Sequence, residues 1–342
     1  MNNQNDYNDN KKVTYHEQTD ISNILKLREV LKTLPPFCRD YFRAMDPVTT
    51  TNTRISYAYD IRIFFQFLLE QNPAFKDWSM DAFTVDVLDQ ITAVDLEEYE
   101  EFLKVYKSAD SSKTETNGER GLKRKISALR SFYAYYYKRE MIHTNPTVLI
   151  DVPKIHEKSI IRLDTDEVAM LLDYIEHCGD TLTGQKRVFY EKTKERDLAI
   201  VTLLLGTGIR VSECVGLDVE DIDFKNNGIK IRRKGGYEAV IYFGEEVETA
   251  LLDYLEQRNH IIPAEGNENA LFLSLQNKRI SVRAVEKLVK KYASLVTNLK
   301  KITPHKLRST YGTSLYRETG DIYLVADVLG HKDVNTTRKH YA

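Results

Sequence analysis

The second half of the sequence holds four groups of side chains whose types and spacing suit phosphate chemistry. The first is Arg210, which follows a Gly-Thr-Gly break and precedes Glu213 by one helical turn. An arginine at a helix start opposes the helix dipole, so we expect Glu213 to orient it and leave its guanidinium fork free to bind a phosphate. The alternative is an ordinary ion pair between residues three apart.

The second group is Lys234, which lies in Arg-Arg-Lys-Gly-Gly at the tip side of a predicted hairpin. Lysines are common in exposed turns, and this is the simpler interpretation. A lysine beside a strained phosphate can, however, protonate a leaving oxygen when its pKa is lowered.

The other two groups lie near the end of the sequence. His305 and Arg308 are three residues apart at a predicted helix start, where an imidazole and a guanidinium can bind a phosphate and transfer a proton. His331 follows Gly330, which we expect to end a helix, and Tyr341 comes ten residues later. Each group alone has an ordinary structural explanation, whereas all four in one domain favour a shared phosphate site.

Hydrophobic periodicity predicts the elements that must position these groups. The second half begins at an Asp164-x-x-Glu167 helix start. Predicted helices and one hairpin follow, in this order: helices 165–178 and 194–205, hairpin 228–243, and helices 245–258, 281–297, 305–318, 321–329 and 333–341.

The first half is predicted to be helical between residues 21 and 146, with helices over 54–70, 93–107 and 119–138. Residues 1–20 are polar and are predicted to be disordered, and 147–163, which includes Pro153, is predicted to be a linker. The fold class is therefore mainly α with a small antiparallel β-sheet, in two domains, 21–146 and 164–342.

Composition describes an ordinary globular protein of 342 residues, 42% of them hydrophobic and 29% charged. Three widely spaced cysteines match no zinc pattern, and there is no membrane-length apolar run or signal-peptide core, so we expect a cytoplasmic protein with reduced thiols. The net charge is −2, but residues 76–101 hold nine acids and 120–139 hold seven Lys or Arg and no acid. This segregation favours either one basic face for phosphates or two solvated helix faces.

The ordered set Arg…Lys…His-x-x-Arg…His…Tyr resembles the active-site signature of the tyrosine recombinase (integrase) family. The segments that carry it are GTGIRVSE, RRKGG, TPHKLR and LGH. The resemblance covers residues 165–341, and 21–146 resembles more loosely the helical core-binding domain. The chain looks Xer-like, and KERDLAIVTLLL, RKGG and TPHKLR are similar to the single-recombinase XerS branch.

The resemblance implies that Tyr341 is the nucleophile, which attacks the scissile phosphate, forms a 3′-phosphotyrosyl bond and releases a 5′-hydroxyl. It implies that Arg210 and Arg308 bind the non-bridging oxygens and that His331 donates a further hydrogen bond. Because one phosphoester replaces another, bond energy is conserved, and the implied reaction needs neither ATP nor a ligase. The two arginines supply the charge that a metal would otherwise provide, so no metal and no cofactor are expected.

The remaining roles also follow from the resemblance. His305 is implied to be the general base or proton relay for the tyrosine, and Lys234 the general acid for the 5′-oxygen. Glu213 is implied to support Arg210.

The implied partner is double-stranded DNA at a specific recombination site, bound by a homotetramer on two synapsed sites, with accessory proteins left open. The two domains are expected to form a C-shaped clamp around the duplex. We expect the basic helix of the first half to contact phosphates through Lys123, Arg124, Lys125 and Arg130. The neighbouring aromatic run, 132–137, is predicted to pack in the core rather than stack on bases.

Two features depart from the family pattern. The interval from His331 to Tyr341 is ten residues, one more than is usual. The sequence also stops one residue after Tyr341, whereas family members usually continue into a segment that docks on a neighbouring subunit. A truncated chain and a different assembly are both compatible with this.

Several functions remain open at this point. The resemblance favours an Xer-type recombinase that resolves chromosome dimers, with the integrase of a phage or transposable element as the alternative. A type IB topoisomerase shares the chemistry but lacks the Xer-like segments. A non-catalytic DNA-binding descendant is disfavoured because every implied catalytic side chain is present.

Overall fold

A computed structural model describes residues 14–107, 113–156, 159–233, 236–331 and 333–341. The chain divides into two compact units, Met1–Glu157 and Lys158–Ala342. The described residues are mostly helical, with small antiparallel sheets, as the sequence predicts. None of the helices in the described ranges is long and apolar enough to cross a membrane.

Helices α1–α5 form most of the first unit. In chain order they are Tyr15–Leu31, Cys38–Met45, Thr51–Gln71, Ala93–Lys104 and Glu119–Tyr137. Their core is rich in aromatic rings that meet edge to face, such as Phe64 with Tyr99 and Phe132 with Tyr136. Phe132, Tyr133 and Tyr136 are fully buried, which confirms for these three residues the prediction that the aromatic run packs in the core, whereas Tyr137 is 49% exposed.

Two predictions for this unit are wrong. Residues 15–20 are not disordered, because α1 begins at Tyr15 behind a capping box in which Thr14 and Glu17 satisfy each other's backbone amides. Residues 1–13 lie outside the described residues. The helix predicted over 93–107 ends at Lys104, since Val105–Lys107 forms strand β1 and pairs with β2, Thr114–Thr116.

The second unit carries helices α6–α13. In chain order they are Thr165–His177, Gly184–Thr207, Val211–Gly216, Glu245–Asn259, Val282–Val296, Pro304–Thr319, Ile322–Leu329 and Val334–Tyr341. The capping box of Asp164 and Glu167 starts α6 as predicted. The second of these helices, α7, begins ten residues earlier than predicted, because the apolar residues of its first turns are the consecutive 188–190 and do not recur at helical spacing.

A three-stranded antiparallel sheet lies in the same unit. Its strands are β3 (Ile222–Asp223), β4 (Gly228–Arg232) and β5 (Glu238–Tyr242), and β4 is the central strand. The predicted hairpin is β4–β5, in which Ile229 pairs with Ile241. Ile229 and Ile231 point into the core around the buried middle of α7.

Candidate active site

Arg210 is held at a helix start by a glycine turn. Helix α7 ends at Gly208, which has a φ of +61°, and a Cβ atom there would lie 2.3 Å from the ring of Tyr311. The chain then turns and α8 begins after Arg210. Only glycine fits this combination of left-handed backbone and close packing.

Glu213 orients Arg210, as the sequence predicts. The Nη1 atom of Arg210 donates to Glu213 Oε1 at 2.7 Å, and its backbone N–H donates to Oε2 at 2.7 Å. The side chain of Glu213 is 4% exposed, whereas that of Arg210 is 33% exposed. The carboxylate therefore holds one edge of the guanidinium from inside the protein and leaves the group partly open to solvent.

Arg308 is buried in α11 and reaches two other segments. Its Nη1 atom donates to the carbonyl of Gly208 at 2.5 Å, and its Nη2 atom donates to the carbonyl of Leu329. Burial, together with the nearby charge of Arg210, lowers the pKa of Arg308 to about 10. The guanidinium stays charged at neutral pH and is already fixed in place.

His331 follows the left-handed Gly330 that ends α12, as predicted. Its Nδ1 atom lies 2.8 Å from the hydroxyl oxygen of Thr337, which is fully buried in α13. Burial and the charges of Arg308 and Arg210 lower the pKa of His331 to about 4. The imidazole is therefore neutral at physiological pH.

Tyr341 lies beside His331 and against α11. The two rings are nearly parallel, with their planes 17° apart and their centroids separated by 6.3 Å. The Tyr341 ring also covers Gly312, where a Cβ atom would lie 2.7 Å from Cε1. Burial raises the pKa of Tyr341 above its ordinary value, while the charge of Arg308 and a hydrogen bond with Ser309 act to lower it.

His305 lies in the first turn of α11, three residues before Arg308, and its ring is exposed. Partial removal of water from the ring and the nearby charges of Lys306 and Arg308 lower its pKa below the ordinary value. Lys234 lies outside the described residues. The structure thus brings Arg210, Glu213, Arg308, His331 and Tyr341 together. His305 lies in the first turn of α11, the helix that also carries Arg308.

The chain is similar to known proteins over most of its length. A family model described as the phage integrase family matches residues 161–342. The tyrosine recombinase XerC of Caldanaerobacter subterraneus subsp. tengcongensis is 35% identical over 326 residues, which cover 92% of this chain and 84% of the relative. The chain belongs to the tyrosine recombinase family. Enzymes of this family break and rejoin DNA.

A second relative supports the same family, and two solved structures share the fold. The tyrosine recombinase XerS of Lactococcus lactis subsp. cremoris is 30% identical over 338 residues, 93% of each chain. The fold is similar to that of XerH bound to its difH substrate, with a TM-score of 0.61, 20% identity, and 85% of this chain and 75% of that one covered. It is also similar to the Tn1549 transposon integrase in complex with circular intermediate DNA, with a TM-score of 0.62, 21% identity, and coverage of 89% and 94%.

In the first unit of this recombinase, the basic residues of α5 differ in their surroundings. Lys123 is exposed. Arg124 is exposed too, but it forms an ion pair with the buried carboxylate of Asp60 in α3. Lys125 is 6% exposed, and its Nζ atom lies 3.6 Å from Asp60. The expectation that Lys125 contacts phosphates is therefore wrong, because its side chain is buried within the unit rather than exposed on α5.

Arg130 also has partners within the first unit. Its Nε atom donates to the carbonyl of Thr147 at 3.0 Å, and Nη2 donates to the carbonyl of Ile150 at 2.5 Å. Both carbonyls belong to the segment predicted as a linker, which Arg130 ties to α5. Lys123 and Arg124 are the two of the four whose side chains remain exposed.

The sequence did not predict the residues that hold the site side chains in position. Thr337 holds His331, Ser309 and Gly312 line the position of Tyr341, and Arg233 caps α12. Two signals were available. Thr337 lies three residues after Val334 and four before Tyr341, so it shares their face of the last helix, and Gly312 interrupts a helical pattern without ending it. Nothing local marks Arg233 among three consecutive basic residues.

Proposed function

We propose that this protein is a site-specific recombinase that cuts and rejoins duplex DNA through a 3′-phosphotyrosine, in an Xer-type resolution of chromosome dimers. The observation that carries this proposal is the convergence of Arg210, Arg308, His331 and Tyr341 around the end of α12. Two guanidiniums and an imidazole provide donors for a phosphate, and a tyrosine lies beside them. Membership of the tyrosine recombinase family and a fold similar to that of DNA-bound recombinases also support it.

The nucleophile is the hydroxyl of Tyr341. It attacks the scissile phosphorus, the bond from phosphorus to the 5′-oxygen breaks, and a 3′-phosphotyrosyl ester replaces the DNA phosphodiester. The raised pKa of Tyr341 keeps the phenol protonated in the free protein, so attack requires a base. His305 has a lowered pKa and is neutral at pH 7, which suits it to accept this proton.

Arg210 and Arg308 stabilise the extra negative charge on the non-bridging oxygens as the phosphorane forms. Both are fixed before DNA binds, Arg210 by Glu213 and Arg308 by backbone carbonyls, so little reorganisation is needed. Neutral His331 donates a further hydrogen bond. When Thr337 donates to Nδ1, the ring proton resides on Nε2, where it is available to the phosphate.

Lys234 is proposed as the general acid that protonates the departing 5′-oxygen. Rejoining reverses the sequence: the 5′-hydroxyl of a partner strand attacks the phosphotyrosine and Tyr341 leaves. Each step exchanges one phosphoester for another, so ATP is not consumed. Among the described residues, no group of three His, Cys, Asp or Glu side chains is placed to bind a metal ion.

The proposed substrate is duplex DNA at a specific site, bound by a homotetramer on two synapsed sites. In the first unit, the proposed DNA contacts are Lys123 and Arg124, which are exposed on α5. The proposed domain boundaries are 21–146 for the core-binding domain and 164–342 for the catalytic domain. We place the enzyme in the cytoplasm, where a bacterial chromosome is accessible to it.

A nicked suicide substrate that carries the cognate site tests the proposal. The wild-type enzyme is expected to form a covalent DNA adduct that survives denaturing electrophoresis, and Tyr341→Phe is expected to form none. Tyr323→Phe is the matched control, because Tyr323 is 71% exposed on the neighbouring helix α12. An adduct that persists in Tyr341→Phe would overturn the assignment of the nucleophile.

A further inference from the structure

A buried carboxylate holds an exposed arginine in the first unit, as Glu213 holds Arg210 in the second. Asp60 lies on α3, and its side chain is 1% exposed. It forms an ion pair with Arg124 on α5, whose side chain is 45% exposed. In both pairs the acid lies inside its unit and the guanidinium reaches the surface.

Two cations meet Asp60, one at each carboxylate oxygen. The Nη1 atom of Arg124 donates to Oδ2, and the Nζ atom of Lys125 lies 3.6 Å from Oδ1. The buried Lys125 is by itself enough to balance the formal charge of the carboxylate. The charge of Arg124 is therefore in excess, and it belongs to the one member of the three that is exposed.

Arg124 is fixed against α3 in the free protein. Besides its bond to Asp60, its Nη1 atom donates to the carbonyl of Ser56 at 3.5 Å. A guanidinium carries several N–H donors in a rigid fork, and these two contacts use those of Nη1. A long side chain that is already ordered loses less rotamer entropy when it binds a ligand. The anchored guanidinium is therefore prepared to bind an anion at the surface.

The surface around Arg124 is basic. Arg120 lies three residues before Lys123 and four before Arg124, so the three side chains share one face of α5, and all three are exposed. The one acidic residue of α5 is Glu119, at its first position. A face with this charge attracts the phosphates of a duplex.

We propose that Asp60 is a positioning residue for DNA binding, which orients the guanidinium of Arg124 so that its remaining donors meet a DNA phosphate. This inference rests on the proposed DNA contact of Arg124. A simple ion pair that joins α5 to α3 would stabilise the unit without affecting DNA. The two roles differ in whether the effect of Asp60 on DNA affinity depends on Arg124.

A double variant separates orientation from charge. Full-length Asp60→Asn with Lys125→Met loses one negative and one positive charge, so its formal net charge equals that of wild type. Arg124 keeps its own charge but loses the carboxylate that holds it. A buried ion pair can be replaced by neutral side chains of similar volume without loss of stability, so we expect this variant to fold.

Fluorescence anisotropy measures affinity for the duplex that the wild-type protein selects from a random-sequence DNA pool. We expect the double variant and Arg124→Ala each to bind this duplex about 10-fold more weakly than wild type, the size of one lost hydrogen bond to a charged group. When the double variant is combined with Arg124→Ala, affinity should stay within about 2-fold of that of Arg124→Ala. In combination with Lys123→Ala, the matched control on the same face, the double variant should still lower affinity by about 10-fold.

Two results would overturn the inference while the proposed DNA contact of Arg124 stands. Wild-type affinity in the double variant would show that Asp60 does not position Arg124. A loss of about 100-fold when the double variant is combined with Arg124→Ala would show that the two changes act independently, as they would if Asp60 only stabilised the unit. Wild-type affinity in Arg124→Ala would instead contradict the DNA contact on which the inference rests.

Discussion

The ring of Tyr341 packs directly on Gly312, so the proposed nucleophile occupies space that any side chain at position 312 would fill. A Cβ atom there would lie 2.7 Å from Cε1 and 2.8 Å from Cζ of the ring. Gly312 is on α11, one turn after Arg308. The helix that carries Arg308, a proposed phosphate ligand, therefore also sets the position of the proposed nucleophile.

Gly312→Ala is expected to displace the ring and to slow formation of the covalent adduct by about 100-fold, because a shift of about 1 Å in a reacting group has that order of effect. DNA binding should be retained. Gly244→Ala is the control, since a Cβ atom at Gly244 meets nothing within 4 Å. Adduct formation at the wild-type rate in Gly312→Ala would show that the contact does not position the nucleophile.

Arg210→Ala should reduce stability as well as abolish cleavage. It leaves the carboxylate of Glu213 buried without its charged partner, which costs about 2 kcal/mol of unfolding free energy. The double variant Arg210→Ala with Glu213→Gln removes the buried charge, so urea unfolding should show partial recovery while cleavage remains absent. Recovery of cleavage in the double variant would contradict a catalytic role for Arg210.

Thr337→Val is expected to weaken cleavage without unfolding the protein. The valine keeps the buried volume of Thr337 but removes the hydroxyl that lies 2.8 Å from His331 Nδ1. The imidazole then loses the contact that sets its tautomer and orientation, and we expect a loss of about 10-fold in cleavage rate. Thr336→Val, at an exposed position of the same helix, should cleave normally. Equal rates for the two variants would refute this role of Thr337.

The lowered pKa of His331 has a consequence for stability at acidic pH. The folded protein keeps this ring neutral down to about pH 4, whereas the unfolded chain protonates it near its ordinary pKa of 6.5. Between these values the unfolded state binds more protons, so the stability of the folded state falls as pH falls.

Wild type should therefore lose about 1–2 kcal/mol more unfolding free energy than His331→Gln between pH 7 and pH 5. Glutamine does not titrate, and the comparison cancels the other ionisable groups. Urea unfolding at both pH values measures the difference. Parallel losses in the two proteins would show that His331 is not buried as a neutral ring.

Lys123 and Lys125 should differ in DNA binding although they are close in sequence. Lys123→Ala removes an exposed charge and should reduce the slope of log affinity against log salt concentration by about one. Lys125→Met keeps a buried side chain of similar length, and because Lys125 already faces Asp60, the slope should not change. A reduced slope in Lys125→Met would show that Lys125 contacts DNA phosphates after all.

The sequence predicted the parts of the site that depend on local spacing. Glu213 lies one turn from Arg210, and Gly330 ends a helix directly before His331, so both relationships are encoded within a few residues. The same holds for the hairpin. The alternation of apolar residues predicted it, and Ile229 pairs with Ile241 across its two strands. Short-range rules of capping and periodicity were sufficient there.

Contacts between distant segments could not be predicted in this way. Lys125 was grouped with its basic neighbours because the carboxylate that it faces, Asp60, comes from another helix 65 residues earlier. Arg233 could not be told apart from its two basic neighbours in the sequence, because the carbonyl that it binds belongs to Val328 in α12. In both cases a charge was assigned to the surface because its partner lies far away in the sequence.

The order of α11, α12 and α13 in the chain also affects when the enzyme becomes active. His305, Arg308, His331 and Tyr341 all follow residue 300, and Tyr341 is on the last of these helices. During translation the earlier parts of a chain emerge and fold first. With the proposed nucleophile on α13, a ribosome-bound chain is expected to be unable to attack DNA until α13 has emerged and packed against α11, so synthesis itself would delay the DNA-cleaving activity.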